Sequence, residues 1–130
     1  MSDAAPRFSL TACLKSFGFA FAGIGFMLRT QHNAWLHLAA TGLVIAAGLL
    51  LQVTASDWRW LIVATGMVWA AEAFNTAVEY VCDAIAPGYS EVVKHAKDIA
   101  AGAVLISAGC AAAIGLITLW PYLQTSGVMG

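Results

Sequence analysis

Apolar residues gather in three runs of this chain, and each run is long enough to cross a bilayer. A helix needs about 20 largely apolar residues to span about 30 Å of hydrocarbon. The runs that meet this length are residues 34–53, 58–81 and 99–123. Trp58, Trp60 and Trp120 lie near the ends of the runs, where aromatic residues are typical of membrane–water interfaces. The pattern predicts an all-α membrane protein with three transmembrane helices.

A further helix is predicted before the first span, over residues 8–29. Small and polar residues recur there at alternating spacings of four and three, and the remaining positions are rich in Phe and Leu. The stripe includes Lys15 and Arg29, and basic groups are costly inside hydrocarbon. We therefore expect an amphipathic helix that lies in the membrane interface. A fourth spanning helix is the alternative.

The distribution of basic residues predicts the orientation in the membrane. All Lys and Arg residues except Arg59 lie either before the first span or in residues 83–98, which connect the second and third spans. Because cytoplasmic segments carry an excess of Lys and Arg, the N-terminus and this connection are expected in the cytoplasm. The prediction is a multi-pass protein of the cytoplasmic, or inner, cell membrane.

Composition agrees with a membrane protein and narrows the possible functions. The 130 residues are 61% hydrophobic and 10% charged, whereas soluble domains carry about 25% charged residues. One domain over residues 1–130 is expected. The chain has no basic run interleaved with aromatic residues, so a nucleic-acid partner is not expected. Its three cysteines are too far apart in sequence to indicate a zinc site or a disulfide framework.

Acidic residues interrupt the second span. At 100° per residue, Glu72, Glu79 and Asp83 fall within about 40° of one another, and Asn75 lies on the same side. One Asp near a membrane centre costs roughly 3 kcal/mol, whereas each large aliphatic residue returns about 0.3–0.6 kcal/mol. Neutralisation by a proton, a basic partner or a metal ion is therefore expected, and the stripe is a candidate functional site. Alternatively, the stripe lies near the headgroups and is simply solvated.

A second polar group stands at the start of the third span. Lys94, Lys97 and Asp98 follow a turn at Pro87-Gly88, which predicts an antiparallel hairpin that brings them to the acidic stripe. Mg²⁺ prefers carboxylate and phosphate oxygens, and a lysine can neutralise phosphate charge. A further carboxylate can act as a base toward a hydroxyl group. These residue types suit a metal–polyphosphate, although the lysines alone would also serve to fix topology.

The two polar groups together resemble the signature of a known family. The residues run Glu72-x-x-Asn75-Thr76-Ala77-Val78-Glu79-x-x-x-Asp83 and then Lys97-Asp98-x-x-x-x-Ala103-Val104-Leu105. This pattern resembles the small prokaryotic diacylglycerol kinase/undecaprenol kinase family. The resemblance implies a homotrimer with shared active sites, three spanning helices per subunit and an N-terminal surface helix. It also implies ATP with Mg²⁺ as phosphoryl donor and a membrane lipid alcohol as acceptor.

The resemblance also implies a role for each residue of the signature. Glu72 matches the catalytic base, and Glu79 matches a metal-binding carboxylate that also belongs to the nucleotide site. The other positions are as follows: Asn75, Lys97 and Asp98 match nucleotide-binding residues, and Asp83 and Lys94 are expected to bind substrate or to support the site.

One position departs from the family pattern. The family usually has a metal-binding glutamate before the first span, and Gln31 stands there in this chain. A neutral amide is a poorer Mg²⁺ ligand than a carboxylate, so the number of metal ions is left open. The residues from Arg29 to Leu38 are more similar to the undecaprenol kinase branch than to the diacylglycerol kinase branch.

Two other classes of function remain possible from the residues alone. A small proton-coupled transporter would use Glu72 but would leave Asn75, Glu79, Lys97 and Asp98 without a role. A structural membrane subunit would pair its acidic residues with the basic residues of a partner. A phosphorylation assay with labelled ATP and lipid alcohols separates both alternatives from a kinase.

Overall fold

The computed structural model describes residues 9–125, and this part of the chain is all-helical. Its helices are α1 (Leu10–Thr30), α2 (His32–Leu50), α3 (Ala55–Ile85) and α4 (Glu91–Thr125). All four are long and apolar enough to cross a membrane. The all-α prediction is confirmed, and the chain is a multi-pass membrane protein.

Helices α3 and α4 form the predicted antiparallel hairpin. At one end, Lys97 Nζ lies 2.5 Å from Asp83 Oδ1. At the other end, the Tyr122 hydroxyl accepts a hydrogen bond of 3.2 Å from the backbone N–H of Thr54 and donates one to the Asp57 carboxylate. Polar contacts at both ends fix the register of the two helices along their whole shared length.

Helix α2 packs antiparallel to α3. Near its C-terminal end, the backbone of Gly48 lies against the ring of Trp58. Nearer its middle, Trp69 Nε1 donates a 3.0 Å hydrogen bond to Thr41 Oγ1. Helix α1 reaches the other end of α3, where the Phe26 and Tyr80 rings lie 5.1 Å apart. The middle part of α3 is therefore enclosed by its neighbours more than the rest of the molecule.

The helices extend beyond the predicted spans, and the predicted connection over residues 83–98 is wrong in length. Only residues 86–90 separate α3 from α4, so Asp83, Lys94 and Asp98 are helical. Hydrophobicity marks the part of a helix that lies in hydrocarbon, whereas the backbone hydrogen bonds of a helix continue into polar sequence. At the other end, α2 ends at Leu50, and residues 51–53, predicted as part of the span, form the turn before α3.

Helix α1 agrees closely with the predicted residues 8–29, although Phe8 lies outside the described residues. Its apolar content resembles that of the other helices. The interfacial position of α1 therefore stays a prediction. So does the trimer.

Among residues 9–125, few large apolar side chains are buried within one chain. Phe19, Leu50 and Leu105 are each at least 75% exposed. Buried apolar residues are mostly small or line the contacts of α3, such as Ala34, Leu61 and Ala64. Such an apolar surface requires lipid or neighbouring protein around it.

Candidate active site

Glu72 is the centre of the candidate site. It lies inside α3, is fully buried, and neither of its carboxylate oxygens has a hydrogen-bond partner among the described residues. His37 on α2 is its nearest charged or titratable contact there, with Nε2 3.4 Å from Glu72 Oε2. A buried carboxyl group without hydrogen bonds is costly for folding, so this residue is better explained by function than by packing.

Other polar atoms around Glu72 are also buried without hydrogen-bond partners among the described residues. His37 Nε2, Asn75 Oδ1 and Thr76 Oγ1 are buried and lack hydrogen-bond partners in the described part of the chain. We call His37, Glu72, Asn75 and Thr76 the polar cluster. Two helices contribute to it, and it combines donors and acceptors in the interior of an otherwise apolar bundle. Such a cluster is suited to bind a polar group that enters from outside the chain.

The position of His37 is fixed by neighbouring contacts. Thr41 Oγ1 donates a 2.7 Å hydrogen bond to the backbone carbonyl of His37 and accepts the one from Trp69 Nε1. The Trp69 and His37 rings also meet edge-on, with their centroids 6.1 Å apart. These contacts hold α2 at the level of Glu72.

Asn75 and Glu79 lie together one and two turns along α3 from Glu72. Asn75 Nδ2 donates a 3.1 Å hydrogen bond to Glu79 Oε1, which leaves Asn75 Oδ1 free to accept. Mg²⁺ is usually bound by one or two protein oxygens together with phosphate oxygens and water. A carboxylate beside an unpaired amide oxygen fits that requirement. Within residues 9–125, no group of three His, Cys, Asp or Glu side chains forms a complete metal site.

The basic residues form two separate ion pairs at the same end of the hairpin. Lys97 pairs with Asp83, and Lys94 Nζ lies 2.8 Å from Asp98 Oδ2. The structure therefore brings Lys97 to the end of the acidic stripe, as predicted, through Asp83. Asp98 is turned to Lys94, and both of these side chains are largely exposed.

Gln31 is not joined to the rest of the candidate site by a hydrogen bond. It stands between α1 and α2 in extended conformation, and its backbone N–H donates to the carbonyl of Met27. Its side chain does not cap α2. Among the hydrogen bonds of the described residues, none links Gln31 to Glu79.

An apolar cavity of about 480 Å³ opens beside the polar cluster. Residues of α2, α3 and α4 line it, and His37, Thr41 and Trp69 form its polar end. The cavity runs toward Trp120 and Leu123, away from Lys97. Small residues of α4, among them Ala108, leave the space between the helices.

Sequence reasoning did not assign His37 to the site. The signal was present, because His37 is the only titratable residue within the first predicted span, residues 34–53. Its partner could not be identified from the sequence, since the contact depends on the register of α2 against α3. Thr41 and Trp69, which contact His37, could not be assigned to the site from the sequence for the same reason.

Known proteins resemble this chain over most of its length. The family described as prokaryotic diacylglycerol kinase matches residues 18–119. The undecaprenol kinase of Bacillus subtilis is 35% identical over 117 residues, which cover 90% of this chain and 95% of that protein. The diacylglycerol kinase of Synechocystis is 39% identical over 85% of this chain and 63% of that protein. The diacylglycerol kinase of Escherichia coli K12 is 29% identical over 86% and 92%.

Proposed function

The chain belongs to the prokaryotic diacylglycerol kinase family, and from this premise we propose that it phosphorylates a membrane lipid alcohol with MgATP at the cytoplasmic membrane surface. It is a lipid kinase by family membership. Beyond family membership, we propose ATP as phosphoryl donor, Mg²⁺ as the metal ion, the cytoplasmic membrane surface as the location and specific residues for each role. Neither the transporter nor the structural-subunit alternative gains support from the comparisons.

The observation that carries the proposal is the environment of Glu72. Its carboxylate is fully buried, has both oxygens unpaired within the described chain and lies 3.4 Å from His37, which lines the apolar cavity. A general base must meet the proton that it removes at hydrogen-bond distance. A lipid can bring its hydroxyl group to this depth, whereas a water-soluble acceptor would have to leave water to do so.

The reaction transfers one phosphoryl group and one proton. The lipid oxygen forms a bond to the γ-phosphorus of ATP as the bond from that phosphorus to the ADP oxygen breaks. Glu72 accepts the hydroxyl proton. The transition state of phosphoryl transfer is loose, so positioning and charge neutralisation supply most of the rate enhancement. The helical separation of Glu72 and Glu79, about 10 Å along the axis, leaves room for the hydroxyl and the phosphoryl group between them.

Glu79 is proposed to hold Mg²⁺, with Asn75 Oδ1 beside it. When bound, the ion would neutralise phosphate charge and fix the geometry of the triphosphate. The Asn75 amide nitrogen already donates to Glu79, so the two side chains lie together before any ion binds. Gln31 would be a weaker additional ligand.

Lys97 and Asp98 are proposed to bind the nucleotide. In the nucleotide-bound state, Lys97 would leave Asp83 and bind phosphate oxygens. In the unliganded state, Asp83 would hold Lys97 in place and so support the site. Lys94 would support Asp98 in the same way, since the two side chains form an ion pair. Both ion pairs are exposed enough for solvent and nucleotide to reach them.

The acceptor is proposed to be a polyprenol, undecaprenol, rather than diacylglycerol. The segment from Arg29 to Leu38 favours this branch, and it includes His37 of the polar cluster. Sequence identity does not distinguish the two acceptors, because an undecaprenol kinase is 35% identical to this chain and a diacylglycerol kinase is 39% identical to it.

The end of the hairpin with Lys94 and Lys97 is proposed to face the cytoplasm, together with the N-terminus. ATP would then approach from water while the lipid approaches from the bilayer. Helix α1 would lie in the interface at this side, and three chains would assemble with shared active sites in one inner-membrane trimer.

The deciding experiment is a kinase assay with a lipid panel. Purified protein in mixed micelles is given labelled ATP and either undecaprenol or diacylglycerol, with Mg²⁺ or with a chelator. We expect Mg²⁺-dependent labelling of lipid and a higher kcat/KM for undecaprenol. Preference for diacylglycerol would reverse the choice of acceptor, and absence of labelled lipid with either acceptor would overturn the proposed reaction.

A further inference from the structure

We propose that His37 is a positioning residue that holds the Glu72 carboxylate by one oxygen and leaves the other for the acceptor hydroxyl. This inference rests on the proposed function, because it takes Glu72 as the base. It begins from the 3.4 Å contact between His37 Nε2 and Glu72 Oε2. It also rests on the burial of His37 Nε2 and of both Glu72 oxygens, none of which makes a hydrogen bond within the described chain.

The chemistry of the two side chains sets the direction of this contact. A general base must be a carboxylate before the reaction, and a carboxylate can only accept hydrogen bonds. The facing nitrogen of His37 must therefore carry a proton. The proposed role thus requires the Nε2–H tautomer of His37.

The contact also gives the two carboxylate oxygens of Glu72 different roles. Oε2 faces His37, so Oε1 is the oxygen that remains for the lipid hydroxyl. During transfer, the hydroxyl proton moves to Glu72 and His37 keeps its own Nε2 proton. The 3.4 Å contact is not yet a hydrogen bond in this structure, and catalytic hydrogen bonds commonly form or tighten when substrate binds.

Neighbouring contacts support the placement of His37 for this role. Thr41 binds both the His37 carbonyl and the Trp69 indole, and Trp69 lies on α3 one turn before Glu72. The histidine and the glutamate are therefore attached to a common support. Trp69 also meets the His37 ring edge-on, which restricts its rotation.

Kinetics of two His37 variants test the proposal. His37→Leu removes the N–H and should lower kcat about 10- to 100-fold, by analogy with the loss of a partner that orients a metal-binding side chain. The KM for MgATP should stay unchanged, since the contact lies on the acceptor side. His37→Gln keeps an N–H at similar reach and should recover most of kcat. Equal losses in both variants, or no loss in His37→Leu, would overturn the proposal.

A matched control and a spectroscopic measurement separate this role from a structural one. His95 is exposed on α4, and His95→Leu should leave kcat unchanged. Nitrogen-15 NMR of the full-length protein should show the Nε2–H tautomer of His37 dominant in the wild type and less favoured in Glu72→Ala. A wild-type His37 without a proton on Nε2 would overturn the assignment.

The two measurements also distinguish failure of this inference from failure of the proposed function. NMR reports the contact without ATP or lipid. A wild-type protein that phosphorylates no lipid would remove the proposed function, and a Glu72→Gln protein with normal turnover would remove the base. A normal kinase whose His37→Leu variant is also normal would remove the positioning role alone.

Discussion

Glu72 carries the most specific expectation at the scale of single residues. Glu72→Gln keeps the shape of the side chain but cannot accept the hydroxyl proton as a carboxylate does. We expect kcat to fall by about 10² to 10⁴, the typical contribution of a general base. MgATP affinity should be nearly unchanged, because Glu72 is placed beside the acceptor. Nucleotide binding and single-turnover phosphorylation, measured on one preparation, check both parts.

Two results would contradict the assignment of Glu72. Lost ATP binding would place it in the nucleotide site, and retained turnover would end its role as base.

Glu79 differs from Glu72 in its partner and in its expected effect. Its carboxylate is bonded to Asn75, and we expect Glu79→Gln to abolish Mg²⁺-dependent activity because Mg²⁺ needs an anionic oxygen beside the phosphates. Oligomer assembly should persist. Activity is followed across a Mg²⁺ titration, with size-exclusion chromatography as the control for assembly. Normal turnover by the folded variant would exclude Glu79 as the metal ligand.

Gln31 provides a gain-of-function test. If the metal lacks a carboxylate at this position, Gln31→Glu should tighten the apparent Mg²⁺ affinity. The measurement is activity against Mg²⁺ concentration at saturating ATP. Gln31→Leu is the matched control and should not tighten it. An unchanged midpoint in Gln31→Glu would mean that Gln31 does not face the metal.

Contacts between helices were only partly predictable from the sequence. The hairpin was predictable because the turn at Pro87-Gly88 brings together the polar residues on either side of it. The lengths of α3 and α4 did not follow, since hydrophobicity marks the bilayer rather than the end of a helix. The contact between His37 and Glu72 also depends on how α2 slides along α3, and no local pattern encodes that register.

At the scale of helices, Gly48 sets the distance between α2 and α3. A Cβ atom there would lie 2.5 Å from Cη2 of Trp58. Gly48→Ala should therefore force the indole aside and destabilise the packing by about 1–3 kcal/mol, the usual range for overpacking. Thermal unfolding in detergent measures the effect as a lower Tm, and Trp fluorescence reports the displaced ring.

Gly42 is the matched control for this change. It lies on the same helix, and a Cβ atom at Gly42 would meet nothing within 4 Å among residues 9–125. Gly42→Ala should leave Tm equal or higher, since alanine favours a helix by about 1 kcal/mol over glycine. Equal Tm values for both variants would show that Trp58 moves aside freely and does not fix the helix distance.

For the whole molecule, the separation between the two parts of the site supports sharing between chains. Asp83, which holds Lys97, lies eleven residues after Glu72 on α3, or about 16 Å along the axis. A single transferring phosphoryl group is smaller than this distance. Lys97 in this position lies near Glu79 and does not contact Glu72 of its own chain, so we expect the lysine that serves a given Glu72 to come from a neighbouring chain, in line with the proposed shared active sites.

Subunit mixing tests this arrangement. Glu72→Gln and Lys97→Ala proteins should each be inactive alone, whereas mixed oligomers should regain activity. In a mixed oligomer, some sites combine an intact Glu72 from one chain with an intact Lys97 from its neighbour. Mixing Glu72→Gln with Asn75→Ala is the matched control and should stay inactive, because both residues lie on α3 of one chain and every site therefore receives one of the two defects. Activity is measured after the subunits are exchanged in detergent, with mass measurement of the oligomer to establish three chains. If mixed oligomers form and the first pair stays inactive, each site belongs to one chain, and Lys97 must then move toward Glu72 when ATP binds.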